Sequence, residues 1–324
     1  MTGQPMDNRL AALWRFATAI TVFNLLGHTF FGFEQAWATP FVALATSYAT
    51  ELLLEWVDSR VRGRQPRFLG VGAKRLVEFL LPAHITALAI AMLLYSNAQL
   101  MPIVFATVAA ISSKYVFRVA VHGRLRHFFN PSNFGITATL LTFHWVGIAP
   151  PYMFTENLHP YGDWILPLFF VCLGSFLNTV FTKRIPLVLA WLGTFALQGL
   201  LRNLVTGVPF PSTLLPMSGM AFLLFTFYMI SDPSTTPVSV RRQVLFGSSV
   251  AVTYGLLLVL HVVFTLFFSL SIVCAVRGLA LYLAPRFARA RQGTKSALPA
   301  IPSGPASVPA VSAPAAAFSE GVES

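Results

Sequence analysis

Charge is what this sequence lacks most. Asp, Glu, Lys and Arg make up 10% of its 324 residues, against about 25% in ordinary soluble domains. So few charges cannot solvate the surface of a chain this long. With 56% hydrophobic residues and a mean hydropathy of +0.69, it belongs in lipid. Acids are the scarcest charges: 11 Asp and Glu stand against 22 Lys and Arg, a net charge of +11. That excess is no nucleic-acid signature, because the basic residues fall between apolar runs, where they set the orientation of a membrane protein. Cysteine is nearly absent. Cys172 and Cys274 each sit inside an apolar run, read as buried apolar side chains, and no CxxC occurs, which excludes a disulfide framework or a thiolate metal centre. There is no P-loop, GxSxG elbow, HExxH, CxxCH or paired-carboxylate pattern, and no stretch that could form a soluble catalytic domain.

What the chain does have is apolar runs. Ten can be drawn, at 14–33, 39–57, 77–96, 98–118, 133–149, 164–181, 185–201, 214–231, 244–260 and 264–284, with His261 marking the turn between the last two. A bilayer core of about 30 Å needs roughly 20 helical residues, and an unpaired strand in lipid leaves its backbone groups unbonded. The expected fold is therefore an all-α integral membrane protein of about ten transmembrane helices. Charge placement supports an even count. Arg60, Arg62, Arg64, Arg67, Lys74 and Arg75 follow the second run, and Arg118, Arg124 and Arg126 the fourth. Lys183 and Arg184 follow the sixth, Arg241 and Arg242 the eighth, and Arg286, Arg289, Arg291 and Lys295 the tenth. With both termini cytoplasmic, all of these lie inside, and the outer loops keep only Glu34, Glu156, Asp163 and Arg202. The polar start, residues 1–13, reads as a cytoplasmic N-terminus ahead of a first span rather than as a cleavable signal. The Pro/Ala/Ser-rich residues 292–324 read as a disordered cytoplasmic tail.

Two polar breaks interrupt this pattern. In "RHFFNPSNFGI", Asn130 is a preferred N-cap and Pro131 fits a first helical turn. In "FYMISDPSTTP", Asp232 and Pro233 have the same form. The breaks are 102 residues apart, each after an even-numbered run, which suggests two pseudo-symmetric five-helix repeats, about 14–149 and 164–284. Helix starts at a repeat interface attract anions through free N–H groups and the positive dipole end; plain loop capping without a ligand is the competing reading. The residues expected to form the site are Asn130, Pro131, Asn133, Asp232, Thr235 and Thr236. Lys114, Arg118 and Arg124 are the expected anion partners, with Lys114 and Arg118 four apart on one helix face if the fourth run is helical throughout.

"FFNPSNFGI" and "MSGMAFLLFTFYMISDPSTTP" resemble the two signature motifs of the RnfD/NqrB family. Its members are membrane proteins of the Rnf electron-transport complex and of the sodium-translocating NADH:quinone oxidoreductase. The resemblance covers roughly residues 75–285 and is nearest to the membrane proteins of that family found with enediyne biosynthesis. It implies a bacterial inner-membrane protein of two five-helix repeats, working in flavin-dependent electron transfer beside other membrane proteins of a complex. In the larger relatives an FMN is linked through its phosphate to a Thr in an SGAT-like motif. The matching loop here, residues 149–163, has one threonine, Thr155, in the setting Phe-Thr-Glu and no SGAT. Covalent FMN at Thr155 is therefore not expected; a noncovalent flavin, or another ligand in the same groove, stays open. Without the FMN motif, a small-solute channel or transporter and a purely structural membrane component also stay open. His28, His84 and His261 lie in apolar runs without a pairing that would hold haem, and read as hydrogen-bonded membrane histidines. Glu51 and Glu55, one turn apart, read as partners of Arg60, Arg62 or Arg75, with a cation or proton path as the alternative.

Overall fold

The structure, a computed structural model, describes residues 8–121, 123–150, 154, 157–158 and 161–296. The chain divides into two units, Met1–Leu283 and Ala284–Ser324. Of the second, the described residues 284–296 are helical, so helix runs past the composition break expected at 292. The rest of the expected tail, and residues 1–7, lie outside the described residues.

Each apolar run holds a helix. The order is α1 (Asn8–Leu26), α2 (Ala38–Val61), α3 (Ala73–Leu93), α4 (Met101–Val116), α5 (Pro131–Thr142), α6 (Gly162–Val180), α7 (Ile185–Thr206), α8 (Phe210–Leu214), α9 (Met220–Leu224), α10 (Val240–Val259) and α11 (Thr265–Ser296). A π-helical turn, Gly27–Phe31, prolongs α1 and closes on Gly32 at φ 94°, a left-handed conformation that glycine adopts without a Cβ penalty. Another, Phe225–Met229, prolongs α9. His261, at φ 56°, lies in the turn between α10 and α11 as expected. Five helical segments are long and apolar enough to cross a membrane: Leu10–Phe31, Ala73–Leu93, Ile185–Thr206, Val240–Val259 and Thr265–Ala284. The pair Phe210–Ser218 and Met220–Met229, bent by 70°, is either a sixth, broken span or a re-entrant loop. The protein is thus a largely helical, multi-pass membrane protein. The all-α class holds, with two short ribbons besides the helices. Two short antiparallel ribbons join helix ends, β1 (Leu94–Tyr95) with β4 (Gly147–Ile148), and β2 (Arg118–Val121) with β3 (Arg124–His127). Such ribbons occur where the chain turns at the ends of the bundle and water or loops can serve the free strand edge.

Helix α2 shows how the bundle is arranged. Its buried face is Thr39, Ala43, Ser47, Glu51, Glu55 and Ser59, a stripe with a step of four, while Phe41, Leu53 and Trp56 are exposed. This reverses the pattern of a soluble amphipathic helix. Lipid solvates the apolar face, so the polar face must find partners inside. The other helices also turn large apolar residues outward, among them Leu141, Trp164, Leu204 and Leu256. An aromatic core lies between α7, α9 and α10, where Trp191 packs on Phe195, Phe222, Phe225 and Tyr254 and its Nε1 donates to Thr226 Oγ1 at 2.9 Å.

Helices approach most closely at glycine, as is usual in membranes. A Cβ on Gly135 of α5 would lie 2.3 Å from the Ala106 carbonyl oxygen of α4, and one on Gly247 of α10 would lie 2.5 Å from the Leu187 carbonyl oxygen of α7. Backbone atoms cannot give way, so Gly247→Val should destabilise the α7–α10 pair by about 1–3 kcal/mol, in the range of overpacked cores. Gly193→Ala, on the exposed face of α7 where nothing meets the new Cβ, should be neutral or slightly stabilising. Thermal unfolding of both variants in detergent checks the contrast.

Candidate functional site

The first break folds as its sequence dictates. Asn130 is extended (φ −68°, ψ 122°), and its Oδ1 accepts from the backbone N–H of Asn133 at 3.0 Å and from Ser132 Oγ at 2.9 Å. Pro131 occupies the first helical turn of α5, where a missing N–H costs nothing. Asn133 points the other way. Its Nδ2 donates to the Phe267 carbonyl at 3.0 Å and to Ser271 Oγ at 2.8 Å on α11, contacts shared by Thr137, while its Oδ1 is buried without a partner. The remaining amide group of Asn130 joins the two breaks: Nδ2 donates to the Met229 carbonyl at 3.2 Å, at the end of the π-helical turn that leads into Asp232. His127 Nε2 lies 3.2 Å from Ser234 Oγ beside it.

The second break differs from its expected form. Asp232 begins no helix; α10 starts at Val240 after an extended Ser239. The Asp232 carboxylate instead accepts from the Ser234 N–H at 2.9 Å, from Ser234 Oγ at 2.7 Å and from Thr235 Oγ1 at 3.2 Å. Its carbonyl accepts from the Thr236 N–H at 3.1 Å and Oγ1 at 2.6 Å. This is an Asx turn, the local bonding with which Asp competes against helix formation. Thr235 and Thr236, both buried, serve the turn.

Two expected anion partners have other employment. Helix α4 ends at Val116 and Phe117 turns out of it (ψ 70°), so Arg118 belongs to β2 and shares no helix face with Lys114. Lys114 Nζ pairs with Glu51, which also accepts from Tyr115 Oη at 2.9 Å. Arg118 Nη1 pairs with Asp58 at 2.8 Å. Glu55, fully buried, takes Arg64 at 2.5 Å and Arg67 at 2.8 Å. Glu51 and Glu55 therefore have cationic partners as expected, but not Arg60, Arg62 or Arg75. Arg124 lies on β3, its side chain outside the described residues, as is the whole of Thr155.

The cations that do reach the second break are not among the expected ones. Arg184, 5% exposed, places Nη2 3.4 Å from the Pro233 carbonyl and leaves Nε buried without a partner among the described residues. Burial pushes its pKa below the usual arginine value; Asp232 acts against this, and Arg277 and Arg126 act with burial. Arg277, on α11, donates from Nη1 to the Thr235 carbonyl. The signal in the sequence is a lone arginine inside the run 264–284, since a charge within an apolar span marks a site.

The expected histidine bonding holds for His84 and His28. His84 sits between Thr21 Oγ1 at 2.7 Å and Tyr48 Oη at 2.6 Å, and His28 Nδ1 meets the Asn24 carbonyl at 3.0 Å. Both cysteines are free. Cys274 is buried, while Cys172 is exposed, against its expected burial.

A cavity of about 1360 Å³ opens beside the meeting point, larger than the roughly 300–1,000 Å³ of ordinary ligand pockets. Its polar end is lined by Lys114, Arg118, Arg126, Asn130, Ser132 and Asp232. Its apolar part, lined by Phe16, Phe23, Phe170 and Tyr228, continues to Leu93 and Phe31. Tyr228 stacks on Phe16 at 5.2 Å, and its hydroxyl is buried without a partner among the described residues. No protein-family profile matches the chain, and no curated protein matches it either.

The Glu51–Lys114 pair is nearly enclosed, with side-chain exposures of 4% and 13%. Lys114→Met strands a buried carboxylate and should cost about 3–5 kcal/mol. Adding Glu51→Gln should recover most of that loss, and unfolding of the two variants in detergent measures the difference.

Proposed function

We propose that this chain is a membrane protein of the RnfD type, a relative without covalent FMN, which holds a noncovalent flavin in the cavity beside Asn130 and Asp232. The observation that carries the reading is the contact between Asn130 Nδ2 and the Met229 carbonyl. It unites two motifs that lie 102 residues apart in the sequence. The cavity adjoins that contact and supplies aromatic faces, polar groups from both motifs and the unpartnered Tyr228 hydroxyl. A flat, amphipathic ring system fits such a lining. The proposal takes ten helices as two five-helix halves. In support, α2 packs on α4 and α7 packs on α10, the second and fourth helices of each half. It also places the basic end, with both termini, on the cytoplasmic side of a bacterial inner membrane, by the excess of Lys and Arg there.

A second reading has its own observation. The cavity reaches from Arg126 to Phe31 and Leu93, and Leu93 leads directly into β1, the ribbon at the opposite end of α3. A passage of that depth suits a small-solute channel or transporter on the same fold.

The visible spectrum of detergent-purified protein separates the two. The flavin reading expects a flavin band that leaves with the supernatant on acid precipitation. Colour that stays with the precipitate would mean covalent attachment and overturn the noncovalent assignment. A colourless protein that moves solute in liposomes would replace electron transfer with transport.

A further inference from the structure

We propose that Arg184, Arg277 and the Pro233–Thr235 turn form a binding site for one small oxyanion of the phosphate class. The site does not depend on the flavin reading, and neither arginine lines the cavity.

The two arginines reach one turn from different directions. Arg184 stands at the N-cap of α7, and Arg277 lies within α11. Each spends one N–H on a carbonyl of the turn, Arg184 on Pro233 and Arg277 on Thr235. A guanidinium carries five donors in a planar fork that matches phosphate oxygens. Arg184 Nε is buried and has no hydrogen-bond partner among the described residues; a buried donor left unmade costs about 1–3 kcal/mol.

Asp232 is the acid that belongs to this turn, and its single charge offsets only part of the charge of the two arginines. Its carboxylate is taken by Ser234 and Thr235, and among the described residues it forms no ion pair within 4 Å. Two guanidinium charges thus face one carboxylate charge. The positive dipole end of the 22-residue helix α7 adds to the same charge balance. An oxyanion bound bidentately by the two arginines satisfies Arg184 Nε and balances the excess. Its source is either free phosphate or the headgroup of an anionic lipid, which present the same oxygens.

The test uses the full chain. In detergent, inorganic phosphate should raise Tm relative to chloride at equal ionic strength if free phosphate is the ligand. If a headgroup is the ligand, bilayers containing phosphatidylglycerol should raise Tm relative to phosphatidylcholine alone, with little response to inorganic phosphate. Whichever response appears should be lost in Arg184→Gln and weakened in Arg277→Lys. Asp232→Asn retains the turn's acceptor, removes one negative charge and should tighten binding by about tenfold. If neither probe shifts Tm, or if Arg184→Gln responds as the natural chain does, the site is wrong. Should Arg184→Gln fail to fold, Asp232→Asn decides alone: weaker or unchanged binding would show that no anion sits within reach of the Asp232 charge, and the site is wrong.

Discussion

One asparagine holds the two sequence breaks in register. Asn130 uses three polar groups: a backbone carbonyl that starts α5, an Oδ1 that caps it, and an Nδ2 that crosses to Met229. In a lipid-solvated bundle each is obligatory. A helix start leaves four N–H groups open, and a π-helical turn disturbs the regular ladder at its end. Water cannot serve either in the interior. Asn130 closes both defects with one residue that is 7% exposed. Asn133, one turn on, then fixes α5 to α11 through Phe267 and Ser271. The site is therefore a by-product of helix ends that had to be satisfied somewhere, and they are satisfied by each other.

The acid stripe of α2 imposes a second constraint. Glu51, Glu55 and Asp58 hold Lys114, Arg118, Arg62, Arg64 and Arg67. Those pairs tie α2 to α4, to the β2–β3 ribbon and to the loop after α2. Buried ion pairs add little net stability over apolar packing, but breaking one is expensive. They act here as geometric restraints, and they also use up most of the cations that line the cavity mouth.

The helices were legible because lipid demands apolar runs, and most run boundaries fall within several residues of the observed ends, though α11 continues to Ser296, beyond its run end at 284. The first break was legible because Asn-Pro-Ser-Asn caps a helix with its own side chains. The second was not. Asp-Pro-Ser-Thr-Thr offers its acid enough hydroxyl and amide donors to fold on itself, and local bonding of that kind looks like an N-cap in sequence. Arg118 misled for a related reason: hydrophobic periodicity runs smoothly through Phe117, where the backbone leaves the helix. The repeat argument paired Asn130 with Asp232, yet in a five-plus-five scheme Asn130 opens a fifth helix and Asp232 precedes a fourth. The breaks meet by tertiary packing, which no spacing rule shows. Arg277 was visible as a charge inside an apolar run, but the run as a whole outweighed it.

The placement of charge around the Asp232 turn limits what can lie on each of its sides. On the cavity side, Lys114 and Arg118 are paired with acids, and the walls beyond them are aromatic. That side offers shape, apolar area and a few hydrogen bonds, which suit an occupant of low charge. On the other side, Arg184 and Arg277 are held by backbone carbonyls, which orient a guanidinium without neutralising it. A carbonyl dipole falls off faster with distance than a carboxylate charge, so the positive potential there persists. The Asp232 carboxylate, bonded to Ser234 and Thr235, makes no ion pair with either arginine among the described residues and offsets only part of that potential. The same turn thus gives Asp232 and Ser234 to the cavity lining and two backbone carbonyls to the arginines.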